Sequence, residues 1–122
     1  MPGTVRVSRF VVEADEDTGG TDLSADAAAA SLRAFAGEAT KDALLIADDE
    51  VDVLLTFSHG EAGLRLGADF PGPLTRRFFV RVRPQLNVVI EPVTERQATR
   101  VIQRLAARDY RGLASELGQP WL

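Results

Sequence analysis

The stretch VDVLLTFSHGEAGLRLGA, residues 51–68, decides the fold. Val51, Val53, Leu55 and Phe57 alternate with Asp52, Leu54, Thr56 and Ser58. Ala62, Leu64, Leu66 and Ala68 then alternate with Gly63, Arg65, Gly67 and Asp69. A period of two marks a strand with one buried face. His59-Gly60 lies between the two runs, and glycine suits the positive φ of a tight turn. With those two residues as the turn, Phe57 pairs with Ala62, Leu55 with Leu64, Val53 with Leu66 and Val51 with Ala68. Apolar residues then meet apolar residues on one face. A slip of one residue would set leucine against arginine or glycine. The stretch therefore predicts an antiparallel hairpin.

Upstream, Val5, Val7, Phe10 and Val12 predict a strand over Thr4–Glu13. Its alternation slips near Ser8-Arg9, as at a bulge. Ala14–Thr21 is acidic, contains glycines and reads as a loop. An alanine-rich helix is predicted to start near Asp22–Ser24, with Thr21, Asp22 and Ser24 as candidate caps. Ala28, Leu32, Phe35, Ala36 and Ala39 form its apolar stripe. Ala43–Ala47 fits either an extension of that helix or a short strand.

Downstream, Phe70-Pro71-Gly72-Pro73 reads as a loop. Phe78, Val80 and Val82 resume alternation, and Val88–Glu91 reads as a further strand. Thr94 and Gln97 match a capping box that opens a second helix. Val101, Ile102, Leu105 and Ala106 supply its core face. Gly112 marks an interruption, and Gly118 with Pro120 marks the end. The order is β-α-β-β-β-β-α. It predicts an α+β domain spanning residues 1–122, with an antiparallel sheet of about four to five strands and two helices.

Composition narrows the chemistry. The 122 residues suit one domain, and none is cysteine. Thiol nucleophiles, Fe–S clusters and Cys-based zinc sites are excluded. The absence of cysteine suits a reducing cytoplasm. No signal-peptide pattern or membrane-length apolar run is visible. Thirteen arginines against Lys41 alone, with many alanines, suggest a GC-rich bacterial source. Residues 1–61 carry 13 acids and 4 bases, while residues 62–122 carry 5 acids and 10 bases. The two halves are oppositely charged within a net charge of −4.

Candidate sites are few. His59 is the one histidine, placed in the predicted turn, and adjacent strand residues such as Ser58 and His59 face opposite ways, so no Ser-His-acid triad is expected. Asp15, Asp17 and Asp26 partly follow an EF-hand spacing, but Gly19 stands where a ligand belongs. No metal or cofactor is therefore expected, and no Gly-rich phosphate loop occurs.

The segment Arg76–Arg83 reads as one strand with Arg77, Phe79, Arg81 and Arg83 along one face. Phe70 and the C-terminal Trp121 are further candidate anchors. Arginine and aromatic residues are enriched where proteins bind one another. The expected function is a non-enzymatic protein-interaction module, of the inhibitor, immunity or adaptor kind, using a charged sheet face. Its partner would be another protein, with self-association left open. A pocket between helix and curved sheet, serving a small ligand or an enzyme, is the alternative. A nucleic-acid binder using Arg77–Arg83 ranks below both, because overall acidity opposes phosphate contacts.

Overall fold

The computed structural model of the chain describes residues 3–48, 53–71, 75–77, 80–82 and 85–119. The elements run β1 (Thr4–Val11), β2 (Glu16–Ser24), α1 (Ala25–Ala36), β3 (Ala43–Ala47), β4 (Leu54–Gly60) and β5 (Gly63–Pro71). They continue with β6 (Thr75–Arg77), β7 (Val80–Val82), β8 (Gln85–Ile90), α2 (Glu95–Ala106) and α3 (Tyr110–Glu116). Six strands form one antiparallel sheet in the order β2-β1-β3-β4-β5-β8, and β6 pairs with β7 in a separate ribbon. The class is α+β, with more strands and one more helix than the sequence pattern predicts.

The helices cover one face of the sheet. Leu32 and Phe35 of α1 and Val101, Ile102 and Leu105 of α2 join one apolar core with Val7, Ile46, Leu55, Phe57, Leu66 and Ala68. Two complete rungs cross beneath them. One runs Thr21–Val7–Ile46–Leu55–Ala68–Val88, the other Thr18–Arg9–Leu44–Phe57–Leu66–Ile90. Phe35, Phe57, Phe70, Leu55 and Leu66 are fully buried. Each such side chain contributes roughly 1.5–3 kcal/mol on leaving water. None of the buried residues among those described is polar or charged.

Caps fix both long helices as their sequences suggest. Ser24 accepts the amide of Ala27 at 3.2 Å, and Thr94 accepts that of Gln97 at 3.1 Å. Arg108 turns to φ +57° just after α2, so the helical run breaks there and not at Gly112. Asp109 then caps α3 by accepting the Gly112 amide at 2.9 Å. That bond, with help from Arg104, holds the Asp109 carboxyl below the usual carboxylate range. Gly118 follows α3 at φ +69°, a conformation that favours glycine.

The 51–68 hairpin forms, but its register differs. Val53 is buried and leads into β4, while Val51 lies outside the described residues. Leu55 pairs with Ala68, Phe57 with Leu66, His59 with Leu64 and Gly60 with Gly63, so the reversal falls at Glu61-Ala62. The shift is even, so the apolar residues keep their common face. Parity constrains the face but not which even register wins. The observed one continues the ladder through His59 and Gly60, and Gly63 takes up the irregular backbone at φ +132°.

Two other segments depart from expectation. The acidic run expected as a loop is largely strand β2, pairing with β1 at the sheet edge. Except for half-buried Leu23 it is exposed, so it has no face to bury and shows no apolar alternation. Its carboxylates suit an edge that must resist further pairing. The expected slip in β1 is a register shift between Val7 and Ser8. The segment read as one strand from Arg76 to Arg83 instead contributes two short strands, Thr75–Arg77 and Val80–Val82, that pair antiparallel with each other. Alternation looks the same for one strand as for two that pair with each other.

Candidate interaction surface

The sheet face opposite the helices is built from the alternate residues of the same strands. One rung runs Asp22–Arg6–Ala47–Leu54–Asp69–Asn87, and the next runs Gly19–Ser8–Leu45–Thr56–Gly67–Val89. A third carries Asp17, Phe10 and Ala43 on one side and Ser58 with Arg65 on the other. None of these residues is buried, and Val89 is 50% exposed. Their neighbours one position along, Ile46, Leu55, Phe57, Leu66 and Ala68, are all fully buried. The centre of the open face is apolar or small, and its flanks carry Arg6, Asp22, Asp69, Asp17 and Arg65. Leu45 and Leu54 are half-buried and Val89 is half-exposed, so apolar side chains reach solvent on this face.

A second cluster sits where α1 ends. Arg9 occupies an inner-face position of β1, and its Nε donates to Asp42 at 2.9 Å. Its two terminal nitrogens donate to Glu38 at 3.1 and 2.9 Å. The Arg9 guanidinium lies 5.6 Å from the centre of the Phe35 ring. The Phe35 ring meets that of His59, with centroids 4.8 Å apart. His59 Nε2 lies 3.0 Å from the Phe35 carbonyl oxygen. A carbonyl only accepts, so Nε2 carries the proton and donates. Asp42 also accepts the Val12 amide at 3.1 Å.

These contacts shift the charges in one direction. Bonds to Glu38 and Asp42 hold the Arg9 guanidinium above its ordinary value. The Arg9 fork lowers the Glu38 carboxyl. The Val12 amide, then Arg9, lowers the Asp42 carboxyl. A fork committed to two carboxylates and an imidazole donating to backbone make a clasp that ties the end of α1 to β1. Ser58 lies on the open face with Arg65 opposite, away from His59, so the two do not converge.

The sequence-predicted anchors fall in three groups. Phe70 is 0% exposed and pairs with Leu86 on the covered face, so it is a core residue and not a surface anchor. Its apolar bulk outweighs the Pro/Gly context that suggests a loop. Arg77 pairs with Val80, whereas Arg81 pairs with Arg76, so Arg77 and Arg81 hold alternate positions of a short ribbon and form no stripe along one strand. Phe79, Arg83 and Trp121 lie outside the described residues. Asp17 stands in β2 opposite Phe10 and Asp26 in the first turn of α1, which is strand and helix where an EF-hand spacing needs a loop.

The residues that sequence reading missed are Phe10, Leu45, Leu54 and Val89. A signal was present: Leu44-Leu45-Ile46 and Val53-Leu54-Leu55 put apolar residues on both parities of a strand. A strand between solvent and core needs only one.

Among the described residues, other clefts lie on the helix side and at the end of β1. An open groove of about 590 Å³ between α1 and α2 is lined by Arg33, Glu95, Arg96, Thr99, Arg100 and Gln103. Among the described residues no helix is long and apolar enough to cross a membrane. Comparison of the chain with protein-family models, curated proteins and solved structures gives no match.

Proposed function

We propose that this chain is a protein-interaction module of the inhibitor, immunity or adaptor kind, engaging its partner through the helix-free face of the sheet. One observation carries the reading: the rungs through Leu45 and Leu54 carry a half-exposed apolar centre between charged flanks. Interfaces share that anatomy of apolar middle and polar rim. The charged face expected from Arg77, Phe79, Arg81 and Arg83 falls partly outside the described residues, and the proposal rests on a different face of the same domain.

The interior supports the same reading. Space between helices and sheet is filled by Phe35, Phe57, Leu55 and Ile102, all fully buried. A cleft of about 180 Å³ at one end of that layer is lined by Leu32, Ala36, Leu64 and Val93. Ligand pockets usually measure about 300–1,000 Å³.

A photoreactive amino acid at position 56 tests the proposal in the source cells. Thr56 is central to the open face, and exposed Gln103 on α2 is the control position. A discrete adduct from position 56, absent from position 103 and lost with Leu45→Glu, is the expected result. Equal labelling from both positions, or none from position 56, would overturn the reading.

A further inference from the structure

We propose that the occupant of the open face is a second copy of this chain, seated face to face about a two-fold axis parallel to the strands between β3 and β4. The proposal rests on reading that face as an interface, and it names the partner. In the strand order β2-β1-β3-β4-β5-β8, such an axis exchanges β2 with β8, β1 with β5 and β3 with β4. Rung partners then follow from register alone.

Arg6 of one copy falls over Asp69 of the other, because both stand in one rung on exchanged strands. Ala47 falls over Leu54, and Leu45 over Thr56. Ser8 falls over Gly67, so two small residues let the sheets approach. Phe10 falls over Arg65, a cation on an aromatic ring. Asp22 meets the neutral Asn87. Asp17 falls toward the position of Glu91, whose carboxylate lies against Gly60, with Arg65 one strand inward. Each contact occurs twice, as an isologous interface requires.

The charge layout is what selects a second copy. Positions exchanged by the axis, Arg6 and Asp69, carry opposite signs, and self-complementarity demands that relation. A surface shaped for an unlike partner has no such demand. The other in-plane axis, perpendicular to the strands, sets Asp69 on Arg65 but also Asp17 on Asp22, and it leaves Arg6 over Phe10 with no carboxylate opposite. Like charges opposed across an interface are costly, so the axis along the strands is preferred. Aligned sheets pack about 10 Å apart and incline by roughly 30°. That inclination moves the β1–β5 pairs by about one residue, within reach of an arginine. Arg6 is free to swing: its Nε lies 3.8 Å from Asp22, and both side chains are about two-thirds exposed.

Purified full-length wild type, Arg6→Glu, Asp69→Arg and the double variant decide the matter by sedimentation and light scattering at low salt. Wild type is expected at twice the chain mass. Each single variant should weaken self-association at least about tenfold, the scale of losing two paired charges. An equimolar mixture of the two single variants should recover wild-type affinity within about threefold, because position 6 of each then faces an opposite charge at position 69 of the other. That recovery also shows both variants are folded. A wild type monomeric to about millimolar concentration overturns the second copy. Single variants that dimerise normally, or a mixture that fails to recover, overturn it as well. An adduct from position 56 with a different protein overturns the second copy while leaving the module reading intact, whereas a monomer with no adduct sinks both.

Discussion

Arg9 stands in register with Leu44 on the covered face of the sheet, yet its guanidinium is held over the ring of Phe35, 5.6 Å from the ring centre. The position would bury a leucine elsewhere in the rung. Here it lies at the margin of the core, so the charge reaches Glu38 and Asp42 while the stem covers apolar surface. Arg9→Ala removes the stacking, the fork and the stem together. It is expected to lower unfolding free energy by about 1–3 kcal/mol, read by urea denaturation. Arg9→Lys should recover less than half, since an ammonium cannot fork. Full stability in Arg9→Ala would show that the clasp holds nothing.

The same cluster predicts an acid limb. Glu38 and Asp42 are held below the ordinary carboxylate range in the folded chain. As pH falls, the unfolded chain therefore takes up these protons first, which favours unfolding. Their contribution is complete above the ordinary value near pH 4 and is lost as pH drops through the lower folded values. Asp42→Asn should melt earlier at neutral pH and fall less steeply between about pH 5 and 3. A limb of unchanged slope would place the acid sensitivity elsewhere.

The two faces should answer differently to truncation. Leu55→Ala empties a fully buried site and is expected to cost about 2–5 kcal/mol. Val89→Ser alters a residue 50% exposed on the open face and should change monomer stability by less than about 1 kcal/mol. Comparable losses at both sites, measured by chemical denaturation, would mean the second face is covered too.

What the sequence made legible is the parity of the strands and the caps of the helices. Leu55, Phe57 and Leu66 share a face because alternation is a local property that every even register preserves. Ser24 and Thr94 cap their helices because a side-chain oxygen needs only the next turn to find its donor. Partner choice between strands is not local. The acidic run Glu16–Ser24 becomes a strand because β1 offers it a ladder, and nothing within the run says so. Arg77 and Arg81 share a parity in the sequence, yet they stand in two strands that pair with each other, and alternation alone does not mark where one strand gives way to the next. The open face escaped notice for a related reason. Leu45 and Leu54 read as surplus apolar residues until strand order sets them side by side.

The hairpin reversal offers the sharpest local test, since two registers make opposite demands on two glycines. With the turn at His59-Gly60, Gly60 would need the unusual backbone and Gly63 would be an ordinary strand residue. The observed turn at Glu61-Ala62 reverses this: Gly63 sits at φ +132°, while Gly60 keeps a conformation open to other residues. A methyl at Gly63 would also stand 3.1 Å from the Pro92 ring, which cannot swing aside. At Gly60 the nearest obstacle is the carboxylate end of Glu91, a flexible side chain that gives way, with the Gly63 carbonyl oxygen next at 3.3 Å. Gly63→Ala is therefore expected to cost about 1–3 kcal/mol, and Gly60→Ala distinctly less. Exchange protection of the Ser58 and Arg65 amides, which face one another in the ladder, should drop with the first variant and persist in the second. The opposite order of sensitivity would return the turn to His59-Gly60.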